Sequence, residues 1–185
     1  MRIVGGTRRG RQLKAPRSSA IRPTADRVRE ALFNVLGQRL EGGEVLDLYA
    51  GTGALGLEAL SRGAASAILV DSSAEAAALC RGNAAQLGFG GEASVLRLSA
   101  ERAVERLARE GRRFSLVFAD PPYRARAGGR LLGALEPLLD DGGTLVFEHD
   151  RREDLPGESG RLHLWDRRRF GDTVLSLYRR PAAIP

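Results

Sequence analysis

From Glu44 onward, short apolar runs alternate with stretches whose apolar residues recur at helical spacing. Val45–Tyr49, Ala67–Asp71, Ser94–Leu98, Phe114–Asp120 and Thr144–Glu148 read as five strands. Between them lie helical stretches at Ala54–Ser61, Ala74–Leu87 and Glu101–Arg109, and a fourth marked by Leu131, Leu132, Leu135, Leu138 and Leu139. Ser72 or Ser73 is placed to cap the second of these helices. Strand and helix alternating in this way predict an α/β fold with a parallel sheet covered on both faces. The chain's last third differs. Leu162–Trp165 and Thr173–Tyr178 are rich in strand-forming residues, and no helix fits between them. They predict an antiparallel hairpin turning through Arg167–Asp172, for a mostly parallel sheet of seven strands in all.

Ahead of this pattern, residues 2–14 read as a small β-hairpin around Gly5-Gly6 and Gly10, followed by an extended loop from Pro16 to Pro23. A helix is expected to start near Thr24, with Thr24 as its cap and Asp26 in its first turn, where a carboxylate complements the helix dipole. Val28, Ala31, Leu32, Val35 and Leu36 give its apolar face. The expected division is an arm over residues 1–23 and one domain over 24–185.

The chain has 185 residues and 43% hydrophobic content, enough for one full core. Its apolar runs are far too short to span a bilayer, and no secretory leader is legible in its first residues, so a cytoplasmic location is expected. Cys80 is the sole cysteine, and His149 and His163 are the only imidazoles, so neither a disulfide nor a metal site is expected. Cys80 reads as core, His149 and His163 as incidental, and Trp165 as packing for the hairpin.

Net charge is +6, and its distribution is uneven: the first forty residues carry ten basic side chains against Asp26 and Glu30 alone. A basic arm on a near-neutral body predicts a polyanionic partner, with Arg8, Arg9, Arg11, Arg22, Arg27 and Arg29 as candidate phosphate contacts.

The first strand runs into Asp47-Leu48-Tyr49-Ala50-Gly51-Thr52-Gly53-Ala54-Leu55-Gly56. In open α/β sheets ligands bind beyond the carboxyl ends of the strands, where glycines allow close backbone approach. Asp71, at the next strand's end, can accept both hydroxyls of a ribose. The glycine spacing also fits a dinucleotide fingerprint, which leaves a nicotinamide oxidoreductase as an alternative. Asp47 counts against it: a carboxylate repels a pyrophosphate and attracts the ammonium of a methionine moiety. The chain is also short for a second nucleotide-binding half.

The fourth strand ends in Asp120-Pro121-Pro122-Tyr123. An exocyclic amine on a nucleobase is a poor nucleophile, and methyl transfer needs its lone pair aimed at the methyl. The Asp120 carboxylate and the Pro121 carbonyl can accept its two N–H bonds. Pro122 stiffens the turn, and Tyr123 offers a face on which an extruded base stacks.

With these residues in view, the chain resembles the bacterial small-subunit ribosomal RNA guanine-N2 methyltransferases. The likeness runs through Arg2-Ile3-Val4-Gly5-Gly6, Arg22-Pro23-Thr24 with Asp26-Arg27-Val28-Arg29-Glu30, Leu46-Asp47 to Gly63, the Asp120–Tyr123 tetrad, and Leu177-Tyr178. It implies a class I, Rossmann-like S-adenosylmethionine-dependent methyltransferase fold with a small N-terminal extension. It also implies methylation of one guanine at N2 in 16S ribosomal RNA, within a protein-bound small-subunit assembly intermediate; a monomer is expected. By position, Asp47, Gly51 and Gly53 would hold the methionine part, Asp71 the ribose, and Ser99 and Ala100 would lie against the adenine; Tyr49 is a further cofactor-binding candidate. Two further readings stay open: an adenine-N6 or other amino-methyltransferase on RNA or DNA, and a non-enzymatic RNA-binding assembly factor. Asn83 also matches the family, and reads as a brace.

Overall fold

The computed structural model describes residues 1–16, 23–122 and 128–182. Its elements are α1 (Pro23–Leu36), β1 (Glu44–Leu48), α2 (Ala54–Ser61), β2 (Ser66–Val70), α3 (Ala74–Leu87), β3 (Ala93–Leu96), α4 (Ala100–Arg109), β4 (Phe114–Ala119), α5 (Gly128–Leu135), β5 (Leu139–Asp150), β6 (Glu158–Ser159), β7 (Leu162–Phe170) and β8 (Thr173–Arg179). They form one sheet in the order β3-β2-β1-β4-β5-β8-β7-β6. Strands β1 to β5 pair in parallel, and β5-β8-β7-β6 pair antiparallel.

Alternation along the central strands divides the core into two layers. Leu46, Leu48, Val117 and Ala119 face α4 and α5, through Val104, Leu107, Leu131 and Leu135. Val45, Leu116 and Phe118 face the other way, towards α1, α2 and α3, through Phe33, Leu57 and Ala84. By this alternation Asp47 is a polar residue on the second face, among core positions.

Four differences from the sequence reading have physical causes. The sheet has eight strands because Glu158–Ser159 adds a two-residue edge, too short to show a period. Leu138 lies in a 3-10 turn and Leu139 opens β5, because a leucine run suits either element. β5 then bulges around Gly142, whose φ is +83°. The arginine run 167–169 is strand: β7 continues to Phe170, and Gly171-Asp172 makes the turn with Gly171 at φ +65°. Beyond the residues paired with β6, β7 is an open edge, where charged side chains discourage unwanted pairing. Finally, α1 begins at Pro23, whose fixed φ suits a first helical turn, so Thr24 is helical and not the cap.

The N-terminal segment folds back on itself through one isolated bridge between Arg2 and Gln12, with a 3-10 turn at Gly6–Arg8. Ile3 donates its N–H to Arg11 O (2.9 Å), and Gly10 to Ile3 O (2.8 Å). Ile3 and Leu13 are buried in the α1/α2/α3 layer, so this segment shares the body's core. Among the described residues no helix is long and apolar enough to cross a membrane.

Candidate active site

β1 and β4 are hydrogen-bonded neighbours, with Leu48 in register with Ala119. Their carboxyl ends therefore bring Asp47 and Asp120 to one cleft of about 480 Å³. Its lining includes Asp47, Tyr49, Gly51, Asp120 and Glu148, with Met1 and Pro16 from the N-terminal segment. A volume in the roughly 300–1,000 Å³ range suits a small ligand.

Asp47 is 2% exposed, and its Oδ2 accepts the N–H of Gly56 (2.9 Å), an N–H in the first turn of α2. Burial pushes its carboxyl up to about 7; the Gly56 hydrogen bond opposes this, and the charges of Asp120 and Asp71 add to it. Asp120 is raised to about 6, by desolvation. Water touches Asp120, but the walls of a concave site remove much of the solvent that stabilises a charge, so both facts hold together.

The glycine loop is shaped by packing. Tyr49 is the one described non-glycine residue with positive φ (62°), a strained tip where β1 gives way to the loop. Its phenol is raised by burial and by Glu101. Gly51 has φ +57° and open space where a Cβ would stand, so a ligand can approach its backbone. Gly56 is required by a different contact: a Cβ there would lie 2.3 Å from Leu69 Cδ2 and 3.3 Å from Asp47 Oδ2. Gly53 caps α2 with φ +78° and is not part of the cleft lining.

Asp71 follows β2. Its Oδ2 accepts the N–H of Gly51 (2.9 Å) and its Oδ1 that of Ser73 (2.9 Å). Each carboxylate oxygen has a second lone pair, so hydroxyl donors can still be accommodated. Asp71, Ser99 and Ala100 do not line the main cleft. Ser99 lies with Ser72 and Arg102 along a separate open hollow of about 470 Å³ beside the β2 and β3 tips. The Ser99 hydroxyl caps α4, accepting Arg102 N–H (3.4 Å), and the Ala100 side chain is buried in the core. At both positions the backbone is the better candidate for a ligand contact.

Pro121 and Pro122 follow Asp120 but are not among the residues that line the cleft; Tyr123 lies outside the described residues, as does Arg22. The remaining arginines separate into two groups. Arg9, Arg11 and Arg27 are exposed. Arg8 is a brace, donating from Nε to Leu87 O (2.7 Å) with its guanidinium 5.1 Å from the Phe89 ring centroid. Arg29 corrects the reading of it as a phosphate contact. It is 5% exposed and pairs with Asp26 (2.9 Å) and with Glu58 (3.5 Å).

Glu58 itself is fully buried. It also holds Arg62 (2.8 Å) and accepts the N–H of Val4 (2.8 Å). Sequence reasoning missed this residue, although a glutamate among Leu57, Ala59 and Leu60 was a signal. Of the residues read as structural, Cys80 is fully buried with its thiol pushed up to about 12 by burial, and it donates to Gly51 O (3.4 Å). His149 is buried against Ser176 Oγ (2.8 Å). Trp165 packs across the hairpin, on β7 under the guanidinium of Arg179 on β8 at 4.7 Å, while staying 40% exposed.

The family described as "Conserved hypothetical protein 95" matches residues 1–179. The chain is 37% identical over 184 residues to ribosomal RNA small subunit methyltransferase D of Escherichia coli K12, covering 98% of this chain and 91% of that protein. A solved structure from Escherichia coli is 35% identical with a TM-score of 0.84, covering 98% of both chains. One of a hypothetical protein from a Thermus species is 37% identical with a TM-score of 0.78, covering 96% of this chain and 98% of that one.

Proposed function

The chain belongs to the conserved hypothetical protein 95 family, and from that premise we propose that it transfers the methyl group of S-adenosylmethionine to the exocyclic N2 amine of a guanine in 16S ribosomal RNA. Ribosomal RNA of the small subunit comes from the name of its Escherichia coli relative; the base and the atom rest on the sequence resemblance and on the site. The substrate proposed is a protein-bound assembly intermediate, met by a monomer in the cytoplasm.

The observation that carries the reading is the convergence of Asp47 and Asp120 on one cleft between paired strand ends; Pro121 follows Asp120 in the chain. The residues fit the cofactor. Asp47 would face the methionine ammonium, Tyr49 and Gly51 would border the methionine chain, and Asp71 would take the ribose hydroxyls. The backbone at Ser99-Ala100 would lie beside the adenine. When bound, S-adenosylmethionine supplies an electrophilic methyl on sulfur.

The protein's part is orientation. Asp120 Oδ and the Pro121 carbonyl accept the two N–H bonds of the amine and leave its lone pair directed at the methyl. As the nitrogen becomes positive its proton grows acidic, and the Asp120 carboxylate is placed to take it. The base must be unpaired or extruded to reach these groups. Glu148, which also lines the cleft, follows Phe147, the register partner of Ala119, and so stands on the strand beside Asp120. A second acceptor there favours guanine, whose N1 is a donor, over adenine, whose N1 is an acceptor.

Mass mapping of ribosomal RNA from cells lacking the protein tests the reading. One N2-methylguanine of 16S RNA is expected to become unmethylated and to return with the parent gene. An unchanged map, or a lost methyladenine, contradicts it.

A further inference from the structure

The Asn83 side chain, fully buried on α3, reaches two segments that are far apart in sequence. Its Oδ1 accepts Lys14 N–H (2.8 Å), and its Nδ2 donates to Lys14 O (3.0 Å), so the amide pairs with Lys14 as a neighbouring strand would. The second Nδ2 hydrogen goes to Thr52 O (2.9 Å), in the glycine loop. One turn earlier on α3, Cys80 holds the adjacent Gly51 O, and one turn later Gln86 donates to Gln12 O (2.9 Å). Met1 and Pro16 also border the cleft, and Thr52 Oγ1 contacts Met1 Sδ (3.3 Å). An asparagine is the one side chain of this length that offers an acceptor and two donors here without a charge.

We infer that Asn83 is a positioning residue that couples the cofactor loop to the basic N-terminal segment. Filling the cleft fixes Gly51-Thr52, which fixes Asn83, which fixes Lys14 and the segment carrying Arg9 and Arg11. Linkage is reciprocal, so an RNA gripped by that segment tightens cofactor binding by the same factor. This inference rests on the proposed cofactor reading of the cleft.

Amide hydrogen exchange of the whole protein, with and without S-adenosylhomocysteine, separates the two. Protection of the Gly51–Gly53 amides reports the ligand in its loop. In the parent, the ligand is also expected to slow exchange at Leu13 and Lys14, by on the order of tenfold. In Asn83→Ala the loop is still protected and the effect on residues 13–14 is lost. Asn83→Asp has the same shape but aims an oxygen at both carbonyls; it should lose the effect too, and serves if the alanine variant does not fold. Gln86→Ala, which removes the hydrogen bond to Gln12 O and neither of the Asn83 bonds, should keep it. A parent whose loop is protected while residues 13–14 are indifferent to ligand overturns the coupling, as does an effect that survives in the Asn83 variants. No loop protection in the parent overturns the cofactor reading and the coupling with it.

Discussion

Asp47 and Asp120 flank a single cleft because Leu48 and Ala119, their neighbours in sequence, are register partners on adjacent parallel strands. The pair divides the work by environment. Asp47 is sealed beneath the glycine loop with a carboxyl raised to about 7, while Asp120 sits at the mouth, raised to about 6. Near neutral pH Asp120 is mostly the carboxylate that an amine N–H requires, and Asp47 is poised to ionise when a cation arrives.

Cofactor binding is therefore expected to release protons. In the ligand-free protein Asp47 is partly protonated near neutral pH, and an adjacent ammonium favours its charged form, so a fraction of a proton leaves on binding. Titration calorimetry with S-adenosylmethionine in two buffers of different ionisation enthalpy measures this, and Asp47→Asn should abolish it. The sign for stability follows from the same shift. The folded state keeps the Asp47 proton above the ordinary value of 3.8. Ligand-free stability therefore falls as pH rises from there to about 7, and Asp47→Asn flattens that slope in denaturant melts.

Glu58 holds two buried guanidinium groups and the backbone of Val4. Glu58→Ala leaves Arg29 and Arg62 buried without their shared carboxylate, a loss of about 3–5 kcal/mol in urea unfolding. Arg29→Ala should likewise show itself as instability, though a smaller one, because Glu58 keeps Arg62 and the Val4 N–H.

Exposed Arg9, Arg11 and Arg27 should behave differently. Replacing each by alanine is expected to leave the melting curve near that of the parent. Each should weaken RNA binding and lower the log–log salt slope by about 0.7 for every phosphate no longer neutralised, measured by filter binding over a salt series. Unchanged slopes in all three variants would move the RNA interface elsewhere.

Much of this was legible in the sequence, for identifiable reasons. Ala54–Ser61 and Ala74–Leu87 came out with their observed bounds, because each is bracketed by strong signals: the glycine turn before one, the Ser73 cap and Gly88 around the other. Asp47 was conspicuous as a carboxylate at a core position, and Asp120-Pro121-Pro122 as a string with little structural excuse. What the sequence could not show was which charges are internal. Arg27 and Arg29 look alike in one dimension, and only the packing of α1 against α2 sends one to solvent and the other to Glu58. The arginine run 167–169 misled for the opposite reason: charge suggested a turn, but an open edge strand accepts it. Glu58 and Asn83 each tie the body to the N-terminal segment, through Val4 and Lys14 more than fifty residues away, and no local pattern reveals those partners.

The most direct measurement is single-turnover methyl transfer from labelled S-adenosylmethionine to small-subunit particles from cells lacking the protein, comparing the parent with Asp120→Asn. Cofactor affinity should be nearly unchanged, because the role proposed for Asp120 is towards the amine, while the rate falls by about 100-fold or more. The parent rate should also rise with pH through a limb near 6. Transfer by Asp120→Asn at the parental rate, with cofactor bound equally well, would contradict the account.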